Sequence, residues 1–425
     1  MSWILFGFGL VCALAGATSI APPRWPGFAT LIAWPIGWLT SELPLHMLAF
    51  ELGVAALLVG LGGLATWPGW VGLACLGAAT MVLRQHLILA ARTTAIVERG
   101  LRDGLGRDYH DAIADELRSA YDPTTLWRTI AMPWPRRPRS VERVVDLAYA
   151  DGNAKFHLDL YRSGDRAAFP GPRPVFLYVH GGGWVTGSKS QQGRVTVHEL
   201  AAAGWVCASM NYRLSPGATF PDHLIDVKRA IAWLRANVAQ HGGEPRFIVI
   251  GGGSAGGHLA TLAALTANQP ELQPGFVDAD TSLQGCVSYY GVYDFADRDG
   301  AFGHRAFREL LLARVVMKAH HERERDAYDR ASPIHHVASA TAAPPLLVIH
   351  GDRDSLVPVA SARAFVATAR KAGVGVAYLE LPGAHHAFEL FSSLRSVVVV
   401  HGVHRFCQAI YSRWKGARAE HDAPR

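Results

Sequence analysis

Phe247-Ile-Val-Ile-Gly-Gly-Gly-Ser-Ala-Gly-Gly-His258 is the stretch on which the reading of this chain turns. Its first four residues are apolar and favour an extended conformation. Gly252, Ser254 and Gly256 then make a Gly-x-Ser-x-Gly pentapeptide, and Leu259-Ala-Thr-Leu-Ala263 continues as a helix former. A strand that turns sharply into a helix, with a serine at the apex, pushes that hydroxyl out of the sheet into a cleft. Glycines flank it because side chains there collide with the adjoining strand and helix. The pentapeptide alone is common in Gly-rich chains; a strand before it and a helix after it make it informative.

Outward from this turn, residues 141–148, 155–161, 175–180, 206–212, 285–290, 345–350 and 376–381 read as strands, and 221–238, 360–371 and 391–414 as helices. The alternation predicts an α/β fold, a mostly parallel sheet with helices on both faces. A ligand site in such a sheet lies at the carboxyl ends of the strands.

Three further strand ends carry chemistry. His180-Gly-Gly-Gly-Trp184 follows a strand about seventy residues before Ser254, where the amides of Gly182 and Gly183, with that of Ala255, are candidates for an oxyanion hole. Each such donor is worth about 3 kcal/mol to a tetrahedral oxyanion. His350-Gly-Asp-Arg-Asp-Ser-Leu-Val-Pro358 offers two aspartates; Asp354 starts the exit loop and is the expected partner of a catalytic imidazole, while Asp352 is expected to cap the turn. Leu381-Pro-Gly-Ala-His-His-Ala-Phe388 presents two adjacent histidines, which point opposite ways in extended chain, so that one alone faces Ser254; His386 is the choice over His385. The order Ser254, Asp354, His386 is that of a nucleophile, an orienting acid and a base on this kind of sheet.

These four strand ends together resemble the hormone-sensitive-lipase-like carboxylesterases, including bacterial acetyl and feruloyl esterases, over residues 174–412. Asn211-Tyr-Arg-Leu-Ser-Pro216, Phe220-Pro221, Asp226 and Ala331-Ser-Pro-Ile334 add to the likeness. The resemblance implies an α/β-hydrolase fold, a Ser254–Asp354–His386 triad, an oxyanion hole in the His-Gly-Gly-Gly loop, no metal or organic cofactor, and hydrolysis of a small-molecule or lipid ester. An arylformamidase-like amide hydrolase and a membrane acyltransferase use the same constellation; a degenerate hydrolase serving as a binding module is the non-enzyme alternative.

Where soluble members carry capping helices, this chain begins with apolar segments. Residues 3–20, 28–39, 43–64 and 70–91 read as three or four membrane helices, the last two as a hairpin, and four spans would return the amino end of the first to the side of the catalytic domain. Trp25, Trp34, Trp38, Trp67 and Trp70 sit near segment ends, as in an interfacial belt. Arg92, Arg99, Arg102 and Arg107 follow the last segment and predict a cytoplasmic catalytic domain. Glu51 and Arg84 fall at matching depth in the hairpin and are expected to pair. The expected organisation is a multi-pass membrane region at 1–92, an amphipathic juxtamembrane or cap segment at 93–140 broken by Gly104 and Gly106, and the catalytic domain at 141–425.

Half of the residues are hydrophobic and only 18% charged, below the roughly 25% of ordinary soluble domains, in keeping with a membrane portion. The net charge of +6 comes with no basic cluster beyond Arg136, Arg137 and Arg139, so nucleic acid is not an expected partner. Five scattered cysteines form neither a metal pattern nor a disulfide framework. His320-His321 and His335-His336 lack zinc-ligand spacing, and His258 is expected to pack against the sheet.

Overall fold

Val175, Leu177 and Val179 pack into one apolar core, while Phe176 and Tyr178 between them pack into another. Ile248 and Ile250 join the first core, Phe247 and Val249 the second. This period-two division is that of strands buried on both faces. The protein is described from a computed structural model covering residues 1–425 apart from 24–27, 115–116, 118–130, 153, 299, 302–306, 341 and 423–425.

Strands β1 (Val141–Ala148), β2 (His157–Ser163), β3 (Arg173–Val179), β4 (Val206–Met210), β5 (Gly243–Gly253), β6 (Gly285–Tyr289), β7 (Leu346–Gly351) and β8 (Val376–Leu381) form one sheet in the order β1-β2-β4-β3-β5-β6-β7-β8. β2 is antiparallel to both neighbours, and β4, β3, β5, β6, β7 and β8 are mutually parallel. Helices α1 (Ser2–Ile20), α2 (Phe28–Glu42), α3 (Pro44–Gly60), α4 (Trp67–Ala91) and α5 (Thr93–Leu105) precede the sheet; α6 (Arg194–Ala202), α7 (Asp222–Asn237), α8 (Ala255–Leu265), α9 (Val359–Lys371) and α10 (Leu394–Asp422) connect or follow its strands. Leu224 and Ile231 of α7, Leu259 of α8 and Phe365 of α9 fill the first core; Leu200 of α6, Val403 and Phe406 of α10 and Leu101 of α5 fill the second.

The amphipathic segment thus lies under the sheet. Val97, Leu101 and Leu105 of α5 pack with Ala377 and Leu379 of β8. Gly104, expected to interrupt this helix, is inside it, because a Cβ there would stand 2.4 Å from the Cα of Ala377; Gly106, at φ 99°, ends it. Arg92 keeps a helical backbone, φ −72° and ψ −13°, so α4 runs into α5 as one 39-residue helix, Trp67–Leu105.

By length and composition two helices, Ser2–Ile20 and Trp67–Leu105, suffice to cross a membrane, and a third crossing follows if the bent pair Ala33–Glu42 and Pro44–Gly60 counts as one. α1 and α4 run side by side in the same direction. A Cβ on Gly9 would meet the carbonyl of Gly72, Gly16 adjoins Val82, and Ser19 Oγ is 2.8 Å from His86 Nε2. α3 runs the other way, its Pro44 and His46 lining a small cavity with Leu87 near the end of α4.

α2 and α3, read above as separate spans, are bent by 97° at their junction and by length and composition count together as at most one crossing, which leaves two crossings or three among the described residues. One expectation for this region is corrected. Glu51 and Arg84 do not pair. Glu51 is buried against Cys12 of α1, which packs with both hairpin helices, while Arg84 is exposed on the far face of α4. Trp25 lies outside the described residues.

Candidate active site

Gly252 and Gly256 make the serine turn possible: a Cβ on Gly256 would stand 2.0 Å from the carbonyl oxygen of Val179, and one on Gly252 2.5 Å from the backbone of Gly256. Ser254, between them, has φ 58° and ψ −120°. A non-glycine residue persists in this sparsely populated conformation only when its surroundings over-determine it. The side chain thereby leaves the end of β5 toward the loop after β8.

There Ser254 Oγ lies 2.9 Å from His386 Nε2, and His386 Nδ1 lies 2.6 Å from Asp354 Oδ2. Asp354 Oδ1 accepts the amides of Leu356 at 2.9 Å and Val357 at 2.8 Å. Burial alone would raise the carboxyl pKa; the facing His386 and the hydrogen bonds with His350 and His386 outweigh it and hold Asp354 well below the usual carboxylate range. Asp352 points elsewhere, its Oδ1 accepting the Gly383 amide at 2.7 Å. The two histidines diverge as adjacent residues must. His385 Nε2 reaches the carbonyl of Ser19 in α1 at 2.9 Å, and burial pushes this imidazole down to about 4, so it is neutral with its proton on Nε2. A hydroxyl, an imidazole and an ionised carboxylate in this line are able to move a proton from the first to the second while the third neutralises the charge formed.

The glycine loop after β3 lies against the same serine. The Gly181 amide is used by Gln192 Oε1 at 2.6 Å, whereas those of Gly182, Gly183 and Ala255 have no protein acceptor among the described residues. Gly182 and Gly183 take φ 111° and 61°. Trp184, buried, anchors the loop by donating from Nε1 to His258 Nδ1 at 3.2 Å, and His258 Nε2 in turn donates to the carbonyl of Ala331 at 2.7 Å. Burial takes His258 down to about 3, which keeps the neutral tautomer this relay needs.

Several contributors were not legible in the sequence. Glu389, buried behind His386, receives hydrogen bonds from Tyr290 and from Tyr178, the latter at 3.3 Å, and burial raises its pKa. Tyr290 also lies against His386, ring centres 4.5 Å apart. Trp34 and Trp38 of α2, expected in an interfacial belt, instead donate their indole N–H to the carbonyls of His386 and Ala387, at 3.1 and 3.0 Å. The segment before β1 also touches this loop, with the Ser392 amide donating to the carbonyl of Pro133 at 2.8 Å. Residues 115–116 and 118–130 of the expected cap fall outside the described residues. No group of three or more potential metal ligands gathers among the described residues.

Residues 158–368 match the family model described as BD-FAE. The chain is 38% identical to esterase LipQ of Mycobacterium tuberculosis over 92% of its own length and 88% of that protein's. It is 39% identical to the probable carboxylic ester hydrolase LipM of the same organism, over 95% and 92%. Among solved structures it is similar to esterase B of Lactobacillus rhamnosis, TM-score 0.56 at 20% identity over 70% of this chain and 93% of that one. A truncated carbohydrate esterase from gut microbiota gives 0.54 at 23% over 63% and 96%. At such identities the solved structures speak to the fold.

Proposed function

Because the chain belongs to the carboxylic ester hydrolase family of LipQ and LipM and shares its ester-cleaving activity, we propose that Ser254, His386 and Asp354 carry that reaction, with Gly182, Gly183 and Ala255 as the oxyanion hole. Ser254 Oγ attacks the ester carbonyl as its proton passes to His386 Nε2. The carbonyl oxygen, now an oxyanion, is held by the three free amides. Asp354 keeps the His386 proton on Nδ1 and stabilises the imidazolium. Collapse of the tetrahedral species expels the alcohol, which takes the proton from Nε2 and leaves the acyl group on Ser254. Water activated by the same imidazole then releases the acid.

The observation that carries this reading is the unbroken line of contacts, 2.9 Å from Ser254 Oγ to His386 Nε2 and 2.6 Å from His386 Nδ1 to Asp354 Oδ2. In Ser254→Ala, covalent labelling by a fluorophosphonate and hydrolysis of p-nitrophenyl esters are both expected to vanish; either one persisting would sink the assignment.

The same reading makes residues 1–92 a multi-pass membrane region, 93–140 its juxtamembrane connection and 141–425 the hydrolase domain. α1 and α4 cross, and α3 makes the third crossing as one limb of the bent α2–α3 pair, whose other limb, α2, lies against the catalytic domain. Since α1 and α4 run parallel and both carboxyl ends reach the histidine loop, an odd number of crossings puts the amino end of α1 on the membrane face opposite the catalytic domain. Arg92, Arg99, Arg102 and Arg107 favour a cytoplasmic hydrolase domain. Reporters fused before Met1 and after Arg425 are expected on opposite faces, and both on one face would contradict this topology.

A further inference from the structure

Three contacts from the first two helices converge on the loop that carries His386, more than 340 residues away in sequence. Trp34 Nε1 donates to the carbonyl of His386 at 3.1 Å, Trp38 Nε1 donates to that of Ala387 at 3.0 Å, and the carbonyl of Ser19 accepts from His385 Nε2 at 2.9 Å. α2 passes so near that a Cβ on Gly37 would stand 2.7 Å from the His385 ring. The two indoles stack on each other, centres 5.5 Å apart, and Trp38 stacks on Phe391 at 4.5 Å. Both indole nitrogens are thus aimed at two successive peptide planes of one turn.

That turn needs holding. Ala387 has φ 63°, a left-handed conformation that a residue with a Cβ keeps only under constraint. The carbonyl of Ala387 also accepts the Leu390 amide, but for the carbonyl of His386 the Trp34 indole is the partner that the structure shows. The peptide planes on either side of Ala387 set the direction of the His386 Cα–Cβ bond, and with it the position of Nε2 relative to Ser254.

We propose that Trp34 and Trp38 are positioning residues of the active site, and that α2 acts as a clamp on the His386–Ala387 turn, so that the N-terminal helices complete the catalytic centre as well as anchoring it. The proposal rests on the reading of His386 as the base. Trp→Phe keeps the aromatic packing and removes only the N–H. A loosened turn lets His386 stand off from Ser254, and a displacement near 1 Å in such a group costs on the order of 100-fold in rate.

The experiment uses the full chain in detergent micelles, with wild type, Trp34→Phe, Trp38→Phe and the double variant assayed on p-nitrophenyl butyrate. Rates are expressed per site titrated with a fluorophosphonate, so that an unfolded fraction does not count. The double variant is expected to lose about 10- to 100-fold in kcat with KM changed less than about twofold, each single variant losing less. A double variant with kcat per site within about twofold of wild type overturns the clamp, as does an equal effect on KM. Ser254→Ala runs alongside. If it still labels, the underlying reading falls; if it is silent while the tryptophan variants stay fully active, the clamp alone falls.

Discussion

Replacing Asp354 by Asn tests the orientation of His386 with almost no change in shape. Oδ1 of Asp354 accepts two backbone amides, from Leu356 and Val357, and Oδ2 receives His386 Nδ1. An asparagine keeps its carbonyl oxygen on the two amides, since its NH2 group cannot accept from them. That places the NH2 against Nδ1, which must then accept a hydrogen bond, and the imidazole proton moves to Nε2. A protonated Nε2 cannot take the proton of Ser254, and the charge that would stabilise an imidazolium is gone too. A wrong tautomer of this kind costs about 10⁴ in kcat, close to 5 kcal/mol in the barrier. Asp352→Asn is the matched control: its Oδ1 accepts the Gly383 amide, a bond that asparagine keeps, and what is lost is a long, solvent-exposed contact with Arg353 at 3.9 Å, so kcat should stay within about threefold. Initial rates on a saturating short-chain p-nitrophenyl ester, with melting curves to verify folding, separate the two. Asp354→Asn keeping more than about a hundredth of the wild-type rate, or Asp352→Asn falling as far as Asp354→Asn, would refute the reasoning.

Glu389 supplies a pH signature. Burial raises its pKa, so the folded protein binds this proton more tightly than the unfolded chain, and stability falls as pH rises from the ordinary carboxylate range toward the raised value, by up to about 1.4 kcal/mol per pH unit. Glu389→Gln removes that proton; its melting temperature should gain on wild type between pH 5 and pH 8, and a constant difference across that range would contradict the assignment. Glu42 and Arg395 form a buried ion pair, 3% and 1% exposed, between α2 and α10. Glu42→Ala should cost about 3 to 5 kcal/mol by stranding the guanidinium, while the Glu42→Met, Arg395→Met pair should recover most of it; chemical denaturation measures both, and equal losses in the single and double variants would count against the pair.

What could be read in the sequence follows from what is local. β1 and β8 occupy the expected residues, 141–148 and 376–381, because apolar patterning and flanking turns set strand ends within a few residues. The serine turn, the glycine loop, Asp354 and His386 stand in short motifs whose chemistry follows from residue type and spacing. α6 was not read: its first residue follows Gly193 at φ 68° with no side-chain cap, so the usual start signal is missing. Glu389 was not read either. A lone glutamate after Ala-Phe looks like surface until Tyr290 and Tyr178, 99 and 211 residues away, are brought beside it.

α2 shows why hydropathy alone does not decide such a segment. Tryptophans near the ends of an apolar run look alike whether the indole N–H meets lipid headgroups or a peptide carbonyl. The polar tips decide between the two. In a bilayer, Glu42 at the end of α2 would leave Arg395 buried without its partner, a cost of several kcal/mol for an isolated ion, and two indole N–H groups would lose carbonyls already positioned for them. Docked on the catalytic domain, Glu42 meets Arg395 and Ser393, and both indoles are satisfied. Arg395 also donates to the carbonyl of Pro382 at 3.1 Å, so one buried ion pair joins both ends of the histidine loop to the helix that spans it. A loop tied at its two ends and at its left-handed turn has little freedom to place Nε2 anywhere but beside Ser254, and the proton transfer proposed over that 2.9 Å contact requires such a restriction.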